Sequence, residues 1–121
     1  MNKQLIEKWI DALRSGEYKQ ARCQLRDGDT FCALGVACDI SGMMNWEEYF
    51  VNDSSEMMPL DVAAQYGFIA INERLKESLG IPKSYYCPSF QSAVTSLNDE
   101  FHLDFDEIAD LIEQHLLPLA G

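Results

Sequence analysis

The chain has 121 residues, of which 47% are hydrophobic and 24% are charged. This length suits one domain, and the apolar content excludes a chain that is disordered throughout, because burial can offset conformational entropy. No apolar run reaches the roughly 18 residues of a membrane helix, and no apolar segment follows Met1–Gln4, so we expect no signal peptide and a cytoplasmic location. The formal net charge of −11 disfavours direct binding to nucleic-acid phosphates.

The charge is distributed unevenly along the chain. Residues 1–42 contain six basic and six acidic residues, whereas the remainder contains three basic and fourteen acidic residues and so carries the whole net charge. Residues 98–121 contain seven acids and no Lys or Arg. Such asymmetry shapes the electrostatic field and the choice of partners, although the solubility of an acidic protein is a competing explanation.

The first predicted element is a helix with apolar residues at helical spacing across Leu5–Leu13. Asn2 is a suitable N-cap for it. The later Asp27–Gly28 pair is typical of a tight hairpin turn. We therefore predict that residues 22–25 and 30–32 pair as two very short strands.

A second helix is predicted over residues 31–41, and Gly42 is a plausible end. The alternative to the hairpin is a loop in which Asp29 or Thr30 caps this helix. Gly35 within the helix costs up to about 1 kcal/mol relative to Ala. A residue this small allows another backbone to approach closely.

The rest of the chain is also predicted to be helical. Asp104 and Glu107 have the spacing of a capping box at the start of the last helix. The sequence leaves open whether the aromatic residues within 46–50 and 85–90 belong to the surface or the core. We expect a mainly α fold, a single domain over residues 1–121 with a possible short β-hairpin near residues 22–32; the further predicted helices cover residues 60–66, 71–79 and 90–97.

Four cysteines raise the question of thiol chemistry. If Cys32 opens a helix, the helix dipole lowers its pKa and favours a thiolate nucleophile. His102 or His115 would then be the base and Asp99 its orienting acid, as in a small cysteine-dependent hydrolase. The favoured alternative is a set of reduced, buried, metal-free thiols, because no paired metal-ligand spacing is present; the four are Cys23, Cys32, Cys38 and Cys87.

Acidic residues provide a second candidate site. Asp106, Asp110 and Glu113 have the i, i+4, i+7 spacing of one helix stripe. Arrayed carboxylates can imitate a path of phosphates and block a protein that binds nucleic acid. The alternative is an ordinary solvated helix face. A second acidic stretch free of basic residues contains Glu47, Glu48, Asp53, Glu56 and Asp61.

Basic residues in the neutral first third provide a third candidate. Arg14, Arg22 and Arg26, with Lys19 near Tyr18, could hold a phosphate-containing ligand through bidentate arginine hydrogen bonds. The favoured alternative is intramolecular pairing of these bases, because exposed ion pairs are common and weak. Their expected acidic partners are Asp27, Asp29 and Asp39.

The segment Leu25–Asp39 contains Phe-Cys-Ala-Leu-Gly-Val-Ala-Cys-Asp after a Leu-Arg pair and a turn. It resembles a segment that recurs in small uncharacterised proteins encoded by phages and bacteria. Residues 12–20, 97–99 and 105–113 are similar to other parts of the same family. The resemblance implies a phage-related origin and a role against host machinery or defence, and it assigns no catalytic residue.

We therefore expect a non-enzymatic phage-type accessory or counter-defence protein that inhibits a host protein in the host cytosol. The expected partner has a basic surface, as a nucleic-acid-binding defence component would; no cofactor, metal or membrane is expected, and the oligomeric state is left open. The alternatives are the Cys32 hydrolase and a phosphate binder near Arg22 and Arg26. The expected binding residues are Asp106, Asp110, Glu113, Glu47 and Glu48.

Overall fold

The computed structural model describes residues 2–22, 24–50, 58–68 and 70–120, and most of these residues are helical. The mainly α fold is thereby confirmed. The helices are α1 (Lys3–Arg14), α2 (Ala33–Ser41), α3 (Trp46–Glu48), α4 (Leu60–Tyr66), α5 (Glu73–Ser78), α6 (Phe90–Asp99), α7 (Phe105–Leu111) and α8 (Leu117–Ala120). The strands are β1 (Lys19–Gln20), β2 (Arg26–Asp27) and β3 (Thr30–Phe31).

Helix α1 has the predicted cap and the predicted buried face. The Asn2 side chain accepts a hydrogen bond from the Leu5 N–H at 3.1 Å. Trp9 is fully buried, and its indole N–H donates to the Ala33 carbonyl at 2.9 Å. Since α1 packs against both α2 and α7, it lies at the centre of the core.

The predicted hairpin is present, but its strands lie closer to the turn than expected. Strand β2 pairs antiparallel with β3, so that Asp27 faces Thr30 across a turn whose Gly28 has a φ of 60°. Because this turn is so short, pairing starts directly beside it and not at residues 22–25. Strand β1 pairs in parallel with β3. The sequence did not predict β1, because a strand of two residues has no recognisable pattern.

Helix α2 begins two residues later than predicted, and Cys32 caps it. Asp29 and Thr30 are therefore not its caps; Thr30 belongs to β3 instead. The close approach expected at Gly35 is confirmed, because a Cβ atom there would lie 1.7 Å from the Leu25 carbonyl oxygen. The helix ends at Gly42, as predicted, in a left-handed conformation.

The capping box of the last helix is confirmed at Asp104 and Glu107. Beyond α7 the helix continues through a π-helical turn, Ile112–Leu116, into α8, which contains Pro118. Proline lacks an N–H donor and crowds the carbonyl four residues earlier, so a wider turn ahead of it is a reasonable accommodation.

The aromatic segments that the sequence left open are divided between surface and core. Tyr49 and Phe90 are buried, whereas Phe50 and Tyr86 are 46% and 85% exposed. Side chains from both segments therefore contact the core while others face solvent. Among the described residues, no helix has the length and apolar character needed to cross a membrane.

Candidate functional site

Cys32 lies at the start of α2, but it lacks the properties of a nucleophile. The thiol is buried, and its sulfur accepts a hydrogen bond from the Gly35 N–H at 3.3 Å. Burial raises the pKa of Cys32 to about 12, and this effect outweighs the backbone N–H groups, which lower it. The predicted net lowering of the Cys32 pKa is wrong, because desolvation of the thiolate outweighs the effect of the helix start.

The residues proposed to assist Cys32 do not form a catalytic arrangement with it. His102 is exposed and has a left-handed backbone, with a φ of 56°. Asp99 accepts a hydrogen bond from the Asn98 side chain at 2.7 Å. Within the described residues no hydrogen bond joins His102 to Cys32 or to Asp99, and His115 lies in the π-helical turn. The structure thus gives the hydrolase alternative no assembled triad.

Asn98 is a buried polar residue whose importance the sequence analysis missed. Its side-chain oxygen accepts from the Gln20 side chain at 2.7 Å and from the Ala33 N–H at 3.3 Å. Its side-chain nitrogen donates to the Ala21 carbonyl at 2.9 Å. Asn98 therefore joins α6, the start of α2 and the segment after β1. The only signal was an amide directly after the apolar Leu97.

The three candidate arginines bind three different groups and do not converge on a ligand. Arg14 forms ion pairs with α7 and the following turn. Arg22 donates a hydrogen bond to the Asn98 carbonyl. Arg26 stacks on aromatic rings, and its Nε donates to the Gly28 carbonyl at 2.7 Å.

Intramolecular pairing occurs at Arg14, but with other acids than expected: among the described residues no ion pair joins these bases to Asp27, Asp29 or Asp39. Asp39 instead accepts hydrogen bonds from the Tyr18 hydroxyl at 2.6 Å and the Trp46 indole at 3.0 Å. Burial and the Asp39 carboxylate raise the pKa of Tyr18 to about 12. Asp39 thus fixes two aromatic side chains, and the arginines find partners elsewhere.

The predicted acidic stripe is exposed, and we call its residues Asp106, Asp110 and Glu113 the acidic face. Arg14 bridges two of them, with Nη2 at 2.6 Å from an Asp110 oxygen and Nη1 at 3.0 Å from a Glu113 oxygen. Hydrogen bonding to Arg14 lowers the pKa of Glu113. Residues 98–113 contain seven acids, so one guanidinium still leaves a formal charge of −6.

A groove of about 290 Å³ lies beside the acidic face, between the end of α1 and the start of α7; we call it the α7 groove. Asp106 belongs to both the groove and the acidic face. The lining of the α7 groove combines apolar, acidic, basic and hydrogen-bonding residues: Leu13, Arg14, Gly16, Tyr18, Gln20, Asp104, Phe105 and Asp106.

A second groove, also of about 290 Å³, contains two residues of the other predicted acidic stretch, Glu48 and Asp61. Glu47 is exposed beside it, whereas Asp53 and Glu56 lie outside the described residues. We call this the methionine groove, and its lining is Met43, Met44, Asn45, Glu48, Tyr49, Pro59 and Asp61.

The described cysteines, Cys32, Cys38 and Cys87, are free and buried, and Cys23 lies outside the described residues. Burial raises the pKa of each of the three thiols. In the part of the chain that the structure describes, no group of three or more His, Cys, Asp or Glu residues could hold a metal ion. The acidic face and the two grooves are therefore the features of the described residues that best fit a binding site.

No curated protein and no solved structure shows significant similarity to this chain. One family matches it, described as a domain of unknown function (DUF8296), and the match covers residues 1–116. This range includes the Cys32 region, both grooves and the acidic face. Because the match spans nearly the whole chain, the protein belongs to this uncharacterised family, DUF8296.

Proposed function

We propose that this chain is a non-enzymatic binding protein whose acidic face engages the basic surface of another protein. The observation that carries the proposal is the Arg14 bridge. The Arg14 guanidinium holds the carboxylates of Asp110 and Glu113 at 2.6 and 3.0 Å, while residues 98–113 together with Arg14 retain a formal charge of −6.

Such an arrangement suits association with a cationic partner. Exposed charges of one sign speed the encounter with a partner of the opposite sign and select against partners of like charge. Carboxylates that an internal ion pair already orders lose less side-chain freedom on binding. The Arg14 bridge therefore supports recognition even though it compensates one negative charge.

The α7 groove supports the same proposal because it offers a place for a partner's side chain. Leu13 and Phe105 provide apolar contact, and Asp104 and Asp106 provide carboxylates. A lysine or arginine of the partner can lay its aliphatic stem on the apolar part and direct its charge to the carboxylates.

The environment of the cysteines supports binding over catalysis. At neutral pH a thiol whose pKa is about 12 is almost entirely protonated, and a protonated thiol is a poor nucleophile. His102 is exposed and makes no hydrogen bond to Cys32 within the described residues. The hydrolase alternative consequently has no supporting geometry.

The wider role that we propose is that of a phage-type counter-defence protein in the host cytosol. Its support is the resemblance of Leu25–Asp39 to a segment of small phage and bacterial proteins, together with the negative charge. The partner would be a host protein that binds nucleic acid, and its inhibition would follow from carboxylates that occupy the phosphate-binding surface.

The test compares two variants that each remove two negative charges. Asp106→Asn with Asp110→Asn alters the acidic face, and Glu73→Gln with Glu77→Gln alters exposed acids of α5. Each immobilised protein is exposed to bacterial host lysate, and captured proteins are quantified by mass spectrometry. The strongest captured protein is then purified and titrated against parent, both variants and Cys32→Ser.

We expect a basic protein whose binding is lost with the acidic-face variant, retained with the α5 variant and with Cys32→Ser, and weakened by salt. Equal losses with both double variants would mean that only bulk charge matters and would overturn the proposal. Loss of function with Cys32→Ser while partner affinity is unchanged would favour the hydrolase instead.

A further inference from the structure

The middle of the chain has a strong charge bias that the acidic face does not explain. Residues 27–73 contain nine acidic residues and no Lys or Arg. The methionine groove lies in this part of the chain. Any cation that binds there must consequently come from elsewhere in the protein or from another molecule.

The lining of the methionine groove combines apolar and acidic side chains. Met43, Met44 and Pro59 provide flexible and apolar contact surface, and Met43 is 41% exposed. Thioether side chains adapt their shape and recur at binding surfaces that accommodate varied side chains. Two carboxylates, those of Glu48 and Asp61, also line the groove.

Two further polar side chains of the groove form hydrogen bonds within the chain. The Asn45 side chain accepts a hydrogen bond from the Glu48 N–H at 3.1 Å, and the Tyr49 hydroxyl accepts one from the Leu25 N–H at 3.0 Å. The described residues provide no ion-pair partner for the carboxylate of Glu48 or of Asp61. Asp61 accepts a hydrogen bond from the Val62 N–H at 3.0 Å, which leaves the charge of its carboxylate uncompensated, so both carboxylates can pair with a cation.

The adjacent aromatic cluster shows that this region accommodates a guanidinium. The Arg26 guanidinium carbon lies 4.8 Å from the ring centre of Phe31, 5.2 Å from that of Trp46 and 5.6 Å from that of Phe50. These are cation–π distances. Trp46 also stacks edge-on against Tyr49, which lines the methionine groove, so the cluster and the groove are continuous.

We propose that the methionine groove is a binding site for one lysine or arginine side chain of a partner protein. The aliphatic stem lies along Met43 and Pro59, and the cationic head is bound by the carboxylates of Glu48 and Asp61. A long amphipathic cation matches both halves of this lining, whereas an anion would meet two carboxylates and a purely apolar side chain would leave them unpaired. The site is separate from the acidic face and does not depend on it.

The test follows the methyl groups of Met43 and Met44 by NMR in the full chain labelled with ¹³C-methyl methionine. The probes are N-acetyl-arginine amide, N-acetyl-lysine amide and the neutral N-acetyl-norleucine amide, which keeps an aliphatic stem but lacks the charge. We expect saturable shifts with the two cations and about tenfold weaker binding of the neutral probe, as two exposed ion pairs would give.

Substitutions then assign the contact. Glu48→Gln and Asp61→Asn should each weaken binding of the cationic probes about threefold to fivefold, whereas Glu77→Gln on α5 should leave it unchanged. No Met43 or Met44 shift in the parent, equal binding of the neutral probe, or an equal loss with Glu77→Gln would overturn the proposal. The comparison of probes uses the unaltered protein, so the result does not depend on how the variants fold.

Discussion

Two regions of this molecule contain residue types that carry chemistry in other proteins, and they place them in opposite environments. At the junction of α2 and α6, Cys32 and Asn98 are buried and hydrogen-bonded. On the acidic face, Asp110 and Glu113 are exposed, with side chains 60% and 52% accessible. Reactive groups at the junction therefore serve the fold, and charged groups on the acidic face remain available to a partner.

Close backbone approach and hydrogen bonds hold the junction together. Gly35 brings α2 against the Leu25 backbone, the Leu25 carbonyl accepts from the Cys32 N–H at 3.1 Å, and Asn98 satisfies neighbouring main-chain groups. The thiol of Cys32 is buried at this junction, and burial raises its pKa. The acidic face has no comparable enclosure, so its charges act through the solvent.

The largest expected effect is that of Gly35→Ala, which tests the density of the junction. A Cβ atom would lie 1.7 Å from the Leu25 carbonyl oxygen, so α2 or the Leu25 segment must move. We expect a loss of about 3 kcal/mol or more in the free energy of unfolding, measured by chemical denaturation.

Gly42→Ala is the matched control for this substitution. Its added Cβ would meet no atom within 4 Å, but its φ of 73° is left-handed. We expect a cost of about 1–2 kcal/mol from backbone strain alone. Equal costs for the two variants would show that the contact between Gly35 and Leu25 is not tight.

The next effect tests the polar centre of the junction. Asn98→Ala leaves the Ala33 N–H, the Ala21 carbonyl and the Gln20 amide without this partner. We expect a loss of about 1–3 kcal/mol, because unsatisfied buried groups are costly. The exposed helix cap Asn72→Ala should cost about 1 kcal/mol or less, and the reverse order would show that Asn98 is not a structural centre.

The burial of the Cys32 thiol predicts that the stability of the protein depends on pH in the alkaline range. The pKa of Cys32 rises from 9.0 to about 12 in the folded chain, so below about pH 9 the thiol is protonated in both states. Between pH 9 and 12 the unfolded chain ionises first, and the stability contributed by the buried thiol is lost as pH rises.

We therefore expect the denaturation midpoint of the parent to fall over this pH range more steeply than that of Cys32→Ala. We also expect Cys32 in the folded protein to react with an alkylating agent far more slowly at pH 8 than after unfolding. Rapid alkylation of the folded protein at Cys32 would show that the thiol is accessible and would revive its candidacy as a nucleophile.

Elements with local signals were predictable from the sequence, and contacts between distant segments were not. The cap at Asn2, the close approach at Gly35 and the capping box at Asp104 follow from residue type and spacing over a few positions. Asn98 was missed because its partners are 65 to 78 positions away. Sequence patterns do not encode such pairings. The lowered pKa that the hydrolase alternative required at Cys32 was therefore wrong, because the pKa depends on burial, whereas the favoured prediction of a buried thiol is confirmed.

The acidic face likewise combines a local feature that the sequence predicts with a long-range contact that it does not. Its helical spacing was predictable from Asp106, Asp110 and Glu113, but the bridge to Arg14 was not, because Arg14 lies 96 positions from Asp110. The arginine was assigned to a phosphate site or to nearby aspartates, and the packing of α1 against α7 instead brings it to the acidic face. Tertiary packing thus decides which of several plausible ion pairs forms.

The smallest expected effect on stability is that of a substitution in the acidic face, where stability and partner binding should respond differently. Asp110→Asn removes the negative charge from the 2.6 Å ion pair with Arg14 but leaves the Arg14–Glu113 pair in place. Because exposed ion pairs contribute little to stability, the denaturation midpoint should change much less than with Asn98→Ala. Binding of the basic partner should nevertheless weaken, since the variant loses a charge and part of the order around Arg14. A large loss of stability with unchanged binding would mean that Arg14 joins α1 to α7 as a structural clamp and that the carboxylates serve the fold, as the thiols do.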